Sequence, residues 1–148
     1  MGLKTLIKFC AIVSCCLQFT KTQTIRLRLK GPSSTNGTGR VEILYSRQWG
    51  TICDNSWDIK DANVACRQLG YKYGVMQPQG ALVPSGSGRI WLDAVNCSGS
   101  EQNLTSCTHS GWGNNNCSHR QDAGVKCSVS DVDQCFIGLN NCSRNARC

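Results

Sequence analysis

The sequence predicts a small, disulfide-rich α+β fold, and three observations carry that prediction. One amphipathic helix stands between segments that read as strands: Ala62, Ala65, Cys66 and Leu69 recur at i, i+3, i+4 and i+7 and line a single apolar stripe. Ile25-Arg26-Leu27-Arg28-Leu29 alternates apolar and polar residues strictly, the period of a half-buried strand. Twelve cysteines in 148 residues are too many for a reducing compartment unless metals use them, so the chain belongs on the secretory route.

The first 24 residues fit that route. Lys4 and Lys8 form a short basic region, and Phe9 to Phe19 is apolar apart from Ser14 and Gln18. The run is shorter than the roughly 20 residues a spanning helix needs, so residues 1–24 read as a signal peptide. Cleavage after Thr22 and after Thr24 are both open, and an uncleaved signal anchor is the competing reading. Cys10, Cys15 and Cys16 would leave with the signal. No later stretch is apolar enough to cross a membrane.

In the body of the chain, Ile25–Leu29 is the first strand, with Arg26, Arg28 and then Lys30 facing outward. GPSSTNGTG (31–39) is a loop by composition. Arg40 to Ser46 is a second strand with Val41, Ile43 and Tyr45 on one face, and Arg47-Gln48 turns into a third, Trp49 to Cys53. Asp58 is the expected helix N-cap, Asp61 complements the first turn, and Gly70 stands where the helix end favours a left-handed residue. Residues 71–88 are rich in Gly, Pro and Ser and read as a surface excursion. Ile90 to Leu92 returns as a short strand, Asn96 to Cys107 as a closed loop with a helical turn near Leu104, and Gly124 to Cys127 as the last strand. Trp49, Trp57, Trp91 and Trp112 are expected to supply much of the small core, the alternative being a sugar-stacking platform.

Six cysteines fall in residues 25–128, and spacing alone leaves fifteen pairings open. The stretch WGTICDNSWDIKDANVACRQLG (49–70) resembles the signature of the scavenger receptor cysteine-rich domain. The rest of that pattern follows in order: Gly86-Ser87-Gly88, Ile90-Trp91-Leu92-Asp93, Asn96-Cys97-Ser98-Gly99, Leu104 to Cys107, Gly111-Trp112-Gly113 and Asp122-Ala123-Gly124-Val125 with Cys127. The resemblance implies a curved antiparallel sheet cradling one helix. It also implies the six-cysteine (group A) pairing: Cys53–Cys117, Cys66–Cys127 and Cys97–Cys107.

The resemblance further implies two cation sites, with Ca²⁺ as the one cofactor. Carried onto this chain, the first becomes Asp54, Asn55 and Gln121, where two carboxylates are replaced by amides; the second becomes Asp93 and Asn116. Losing anionic oxygens weakens a Ca²⁺ site, and these residues otherwise cap the helix and hold turns. Residues 129–148 resemble the start of a calcium-binding EGF-like module, with Asp131, Val132 and Gln134 at its cation-binding opening. Cys135, Cys142 and Cys148 are half of that module's six cysteines, so the chain reads as a piece of a longer modular protein.

The formal net charge of +7 bears on partners. Arg26, Arg28, Arg40, Arg47, Arg89 and Arg120 are the candidate ligand-binding cations, with Lys30 and Lys126 beside them. Gathered on one face they would attract lipopolysaccharide, sulfated glycans or modified lipoprotein; dispersed, they would only solvate the surface. No nucleic-acid-binding motif accompanies the charge. His109 and His119 follow Cys107 and Cys117 at zinc-like spacing, but an oxidising compartment favours disulfides. No G-x-S-x-G or comparable nucleophile setting occurs, so no catalysis is expected. Sequons at Asn36, Asn96, Asn103, Asn116 and Asn141 suit a secreted glycoprotein or an ectodomain. The expected function is extracellular binding of a polyanion or a protein ligand in defence or adhesion. The alternative is a spacer or regulatory module of a larger extracellular protease, oxidase or matrix protein.

Overall fold

In the computed structural model, which describes residues 25–78 and 82–130, the alternating segment forms strand β1 (Arg26–Lys30). It is followed by β2 (Thr38–Tyr45) and β3 (Gln48–Ile52), joined by a tight turn with Ser46 and Arg47 both at positive φ. After the α-helix α1 (Ile59–Gln68), the one among the described residues, come β4 (Tyr73–Met76), β5 (Arg89–Leu92) and β6 (Gly124–Ser128). One-turn 3₁₀ segments occupy Ser34–Asn36, Leu104–Ser106 and His119–Gln121, the second of them at the expected helical turn.

The helix ends follow from their residues. Asp58 Oδ1 accepts the Lys60 and Asp61 amides while Asp61 Oδ2 accepts the Asp58 amide, a reciprocal capping box. At the other end Gly70 lies at φ +91°; its amide donates to the Arg67 carbonyl and that of Tyr71 to the Cys66 carbonyl. That is the Schellman arrangement, which a residue without a Cβ adopts at least cost.

The strands form one sheet in the order β4-β6-β2-β3-β5, with β1 on β2. All pairings are antiparallel except β3 with β5, which is parallel. The sheet is thus antiparallel-rich and curved, as expected, with one parallel pair in it. The connection from β3 to β5 carries α1 and β4, long enough for the crossover a parallel pair requires. Irregular register at Thr51/Ile52 and at Gly74/Met76 marks bulges that bend the sheet. The result is a curled half-barrel with the helix against β4 and β6.

Residues 71–88 are not a plain surface excursion. They contain β4, which pairs with β6, and Val75 and Val83 are buried. Gly74 explains why the sequence hid this strand. A Cβ there would lie 2.8 Å from the Ala62 carbonyl carbon, so the strand approaches the helix through a residue of low strand propensity.

The core holds Val41, Ile43, Ile52, Val64, Leu92, Val95, Leu104 and Val125. Of the four tryptophans only Trp57 is buried, its indole N–H donating to the Gly124 carbonyl at 3.0 Å. Trp49, Trp91 and Trp112 are half-buried; Trp91 and Trp112 pack against the edge of the core, so Trp57 is the one ring of the four inside it. Disulfides join Cys53 to Cys117, Cys66 to Cys127 and Cys97 to Cys107, the same three pairs that the resemblance implies. The first two close sequence separations of 64 and 61 residues, tying β3 and α1 to the C-terminal third of the domain.

Candidate functional site

Strand register sorts the basic residues by sheet face. Across the antiparallel ladder Arg26 opposes Leu44, Arg28 opposes Glu42 and Lys30 opposes Arg40, while Thr38 opposes Lys126. Directly opposed residues share a face, and so do residues two apart on a strand. Arg26, Arg28, Lys30, Arg40 and Lys126 therefore share the face away from Val41 and Ile43. Of these Arg26, Lys30 and Lys126 are exposed, and Arg28 is half-buried with its guanidinium 4.1 Å from the Trp49 ring.

Arg40 does not join the exposed set. It is 8% exposed; one guanidinium nitrogen donates to the Pro84 carbonyl and another to Glu42 Oε1 at 2.7 Å, with Asp122 Oδ2 4.0 Å from its Nε. A guanidinium this deep stays only because it is paired. Arg28 reaches the other oxygen of Glu42 at 2.7 Å. Burial alone would raise the Glu42 carboxyl, but hydrogen bonds from Arg40 and Arg28 together hold it below its ordinary range. The face thus carries one carboxylate at these positions, itself buried beneath two arginines. Asp61, Asp93 and Asp122 are buried as well, and the Glu101 carboxylate is taken up by the Ser98 and Gly99 amides.

Arg47, Arg89 and Arg120 lie elsewhere, all exposed: at the β2–β3 turn, at the start of β5 and in the last 3₁₀ turn. Arg89 borders an open groove of about 380 Å³ between residues 88–90 and 113–119. His119 forms part of its wall, with Nε2 3.2 Å from the Gly88 carbonyl oxygen and Nδ1 3.1 Å from Asp122 Oδ1. Asn115 forms another part, its side-chain amide donating to the Ile90 carbonyl at 2.9 Å. Neither residue stands out in the sequence as a groove component: His119 is marked only by its spacing from Cys117, and Asn115 carries no signal.

The two implied cation sites are spatially plausible but chemically poor. The Asp54 amide donates to the Gln121 carbonyl at 2.8 Å, which brings Asp54, Asn55 and Gln121 together at one end of the sheet. Gln121 Oε1, however, already accepts the Ser118 amide at 3.3 Å, and the Asn55 amide group points at Cys117 Sγ at 3.3 Å. One carboxylate with two neutral carboxamides, the Gln121 oxygen already accepting a backbone amide, does not fit a hard dication. Asp93 lies beside Cys53 and Cys117, but those sulfurs form a disulfide and offer no thiolate; Asn116 is exposed next to the same bridge. His109 packs edge-on to Trp112 rather than joining a metal cluster, and no third ligand stands beside either histidine among the described residues.

Asn36, Asn96, Asn103 and Asn116 are all exposed, as a glycan requires. Asn141, the residues 1–24 assigned to a signal, and the EGF-like opening with Asp131, Val132 and Gln134 lie outside the described residues. Among the described residues no helix is long and apolar enough to cross a membrane.

Comparison with known proteins places this arrangement. The model of the scavenger receptor cysteine-rich domain matches residues 31–128. The chain is 49% identical over 104 residues to the macrophage receptor MARCO of Mus musculus, covering 70% of this chain and 19% of that protein. It is 46% identical over 103 residues to lysyl oxidase homolog 3A of Danio rerio, covering 70% of this chain and 14% of the relative. The chain therefore spans less than a fifth of either relative's length. The third such domain of murine neurotrypsin superposes with a TM-score of 0.63 at 41% identity, over 72% of this chain and 99% of that structure. The landmark residues, the one-helix half-barrel and the three disulfides lead to one conclusion: the chain belongs to the scavenger receptor cysteine-rich domain family.

Proposed function

We propose that this chain is an extracellular, non-catalytic binding module that takes polyanions on the sheet face bearing Arg26, Arg28, Lys30 and Lys126. One observation carries the reading: strand register aligns these cations while the single carboxylate among them, Glu42, is buried and neutralised. A surface of one sign raises the local concentration of oppositely charged ligands and speeds their capture. Lipopolysaccharide, sulfated glycans and modified lipoprotein are the ligand classes of matching charge. Relatedness to a macrophage receptor favours a place in defence or adhesion, on a secreted product or the outer part of a membrane protein. Binding proceeds without Ca²⁺, because each implied cation site keeps only one carboxylate, Asp54 in the first and Asp93 in the second.

The test is binding of the secreted chain to heparin and lipopolysaccharide surfaces across a salt series, with Ca²⁺ and with chelator. Salt-sensitive binding that ignores Ca²⁺ is expected, since exposed charges are screened over about 8–10 Å at physiological ionic strength. Retention of binding in an Arg26→Ala/Lys30→Ala/Lys126→Ala variant would sink the assignment to this face. A second reading, a spacer or regulatory module in a larger extracellular enzyme, is favoured by the lysyl oxidase homologues, where the matched region is a small part of the protein. Failure of every polyanion to bind would shift the reading to that role or to a protein ligand.

A further inference from the structure

We infer that the groove beside Arg89 is a second, separate subsite that holds one acidic sugar residue, a ring carrying a carboxylate or a sulfate. The inference rests on the polyanion reading above and sharpens it, since it gives a particular ligand class and places it off the sheet face.

Several observations meet at this groove. It is an open cleft of about 380 Å³ whose lining includes Arg89 and His119 and no carboxylate; the nearest acids, Asp122 behind His119 and Asp93 behind Cys117, are buried. The Arg89 guanidinium is exposed and, among the described residues, unpaired; its recorded contact is the Trp91 ring, 5.9 Å away. Arg28 and Arg40 both share their donors with Glu42, Arg28 while still partly exposed, whereas Arg89 keeps its whole planar set of donors for a ligand. Such a fork matches a carboxylate or sulfate with two parallel hydrogen bonds, which an ammonium cannot reproduce.

The walls favour a sugar over a bare ion or a lipid. Gly88, Gly113, Asn115 and Ser118 present backbone, amide and hydroxyl groups rather than a greasy surface. The groove is also held open before any ligand arrives. His119 fixes the Gly88 carbonyl and Asn115 fixes the Ile90 carbonyl, while the Gly113 amide donates to the Trp91 carbonyl at 2.8 Å. A preformed site spares a ligand the cost of ordering these segments. Beside it Tyr45 stacks on Trp112 at 3.8 Å and meets Trp91 edge-on at 5.1 Å, so half-exposed aromatic rings continue from the groove. Sugar rings lie against such surfaces through their apolar faces.

The experiment uses the full secreted chain, a heparin tetrasaccharide, the same tetrasaccharide after complete desulfation, and polyglutamate of equal charge as an anion without sugar. Affinities are measured by calorimetry for wild type, Arg89→Ala, Arg89→Lys and Arg26→Ala/Lys126→Ala, with near-ultraviolet circular dichroism to show that each variant keeps its packing. Arg89→Ala is expected to cost the tetrasaccharide about tenfold in affinity, the scale of one lost bidentate contact, and to cost polyglutamate much less. Arg89→Lys should recover only part of the loss, and the sheet-face variant should show the opposite preference between the two probes. Arg89-dependent binding that survives desulfation assigns a carboxylate, and Arg89-dependent binding lost with the sulfates assigns a sulfate. Equal losses on tetrasaccharide and polyglutamate in Arg89→Ala overturn the subsite while leaving the polyanion reading in place. A wild-type chain that binds none of the three probes overturns both.

Discussion

The Asp61 carboxylate accepts the backbone amide of Cys97 at 2.8 Å, so the first turn of the helix is fastened to the start of the Cys97–Cys107 loop. Its other oxygen holds the Asp58 amide, and the side chain is 1% exposed. One acid thus serves as helix cap and as tertiary tie. In Asp61→Asn one of the two amides faces an NH₂ group instead of an acceptor. Leaving a buried donor unsatisfied costs about 1–3 kcal/mol, to be read as a lower urea midpoint at neutral pH with an unchanged slope.

The same residue sets a pH dependence. Burial pushes the Asp61 carboxyl up to about 6, against the lowering effect of the Asp58 and Cys97 amides. The folded state then holds this proton more tightly than the unfolded chain does. The contribution is fully present below the ordinary value of 3.8 and is lost as pH rises through about 6. Urea unfolding of wild type against Asp61→Asn between pH 4 and 7 should show this component in wild type alone.

Glu42 predicts the opposite slope. Its carboxyl is held below the ordinary value, so its stabilisation is present above pH 4.5 and falls away as pH drops through the lowered value. Glu42→Ala leaves the Arg40 guanidinium buried without its main partner. A loss of about 3 kcal/mol at neutral pH is expected by chemical denaturation, and a loss under about 0.5 kcal/mol would contradict the burial argument.

Gly50 governs the parallel pair of strands. A Cβ there would sit 2.5 Å from the Arg89 carbonyl oxygen and 2.5 Å from the Trp91 ring. Gly50→Ala should therefore push β5 off β3, costing about 1–3 kcal/mol and shifting tryptophan fluorescence. Since β5 carries Arg89, the variant should also weaken tetrasaccharide binding more than polyglutamate binding.

The disulfides should rank by the loop each closes. Replacing Cys66 and Cys127 together removes a 61-residue closure and should cost about 4 kcal/mol, against about 3 kcal/mol or less for the 10-residue Cys97–Cys107 loop. Thermal unfolding of the two double-alanine variants gives the order directly.

The cation site can be tested by restoring what it lacks. Asn55→Asp/Gln121→Glu adds two carboxylates beside Asp54 and should make thermal stability rise with added Ca²⁺. The unaltered chain should unfold at the same temperature with Ca²⁺ and with chelator.

Local chemistry was legible in the sequence by itself. The Asp58–Asp61 capping box, the stripe from Ala62 to Leu69, the left-handed Gly70 and the alternation in β1 each follow from residues a few positions apart, and the structure holds all four. The ordered landmarks from Trp49 to Cys127 fixed the family in the same way. Tertiary structure alone decided which charges are free. Arg28, Arg40 and Arg89 look equivalent along the chain. Yet Glu42 lies two residues from Arg40 and pairs across the ladder with Arg28, while among the described residues no carboxylate pairs with Arg89. Strand β4 stayed hidden because Gly74 answers to the helix it touches rather than to a strand pattern. Spacing along a chain reports contacts within a turn or a strand. Pairing across 14 residues, as between Arg28 and Glu42, depends on sheet register, which no local pattern in this sequence specifies.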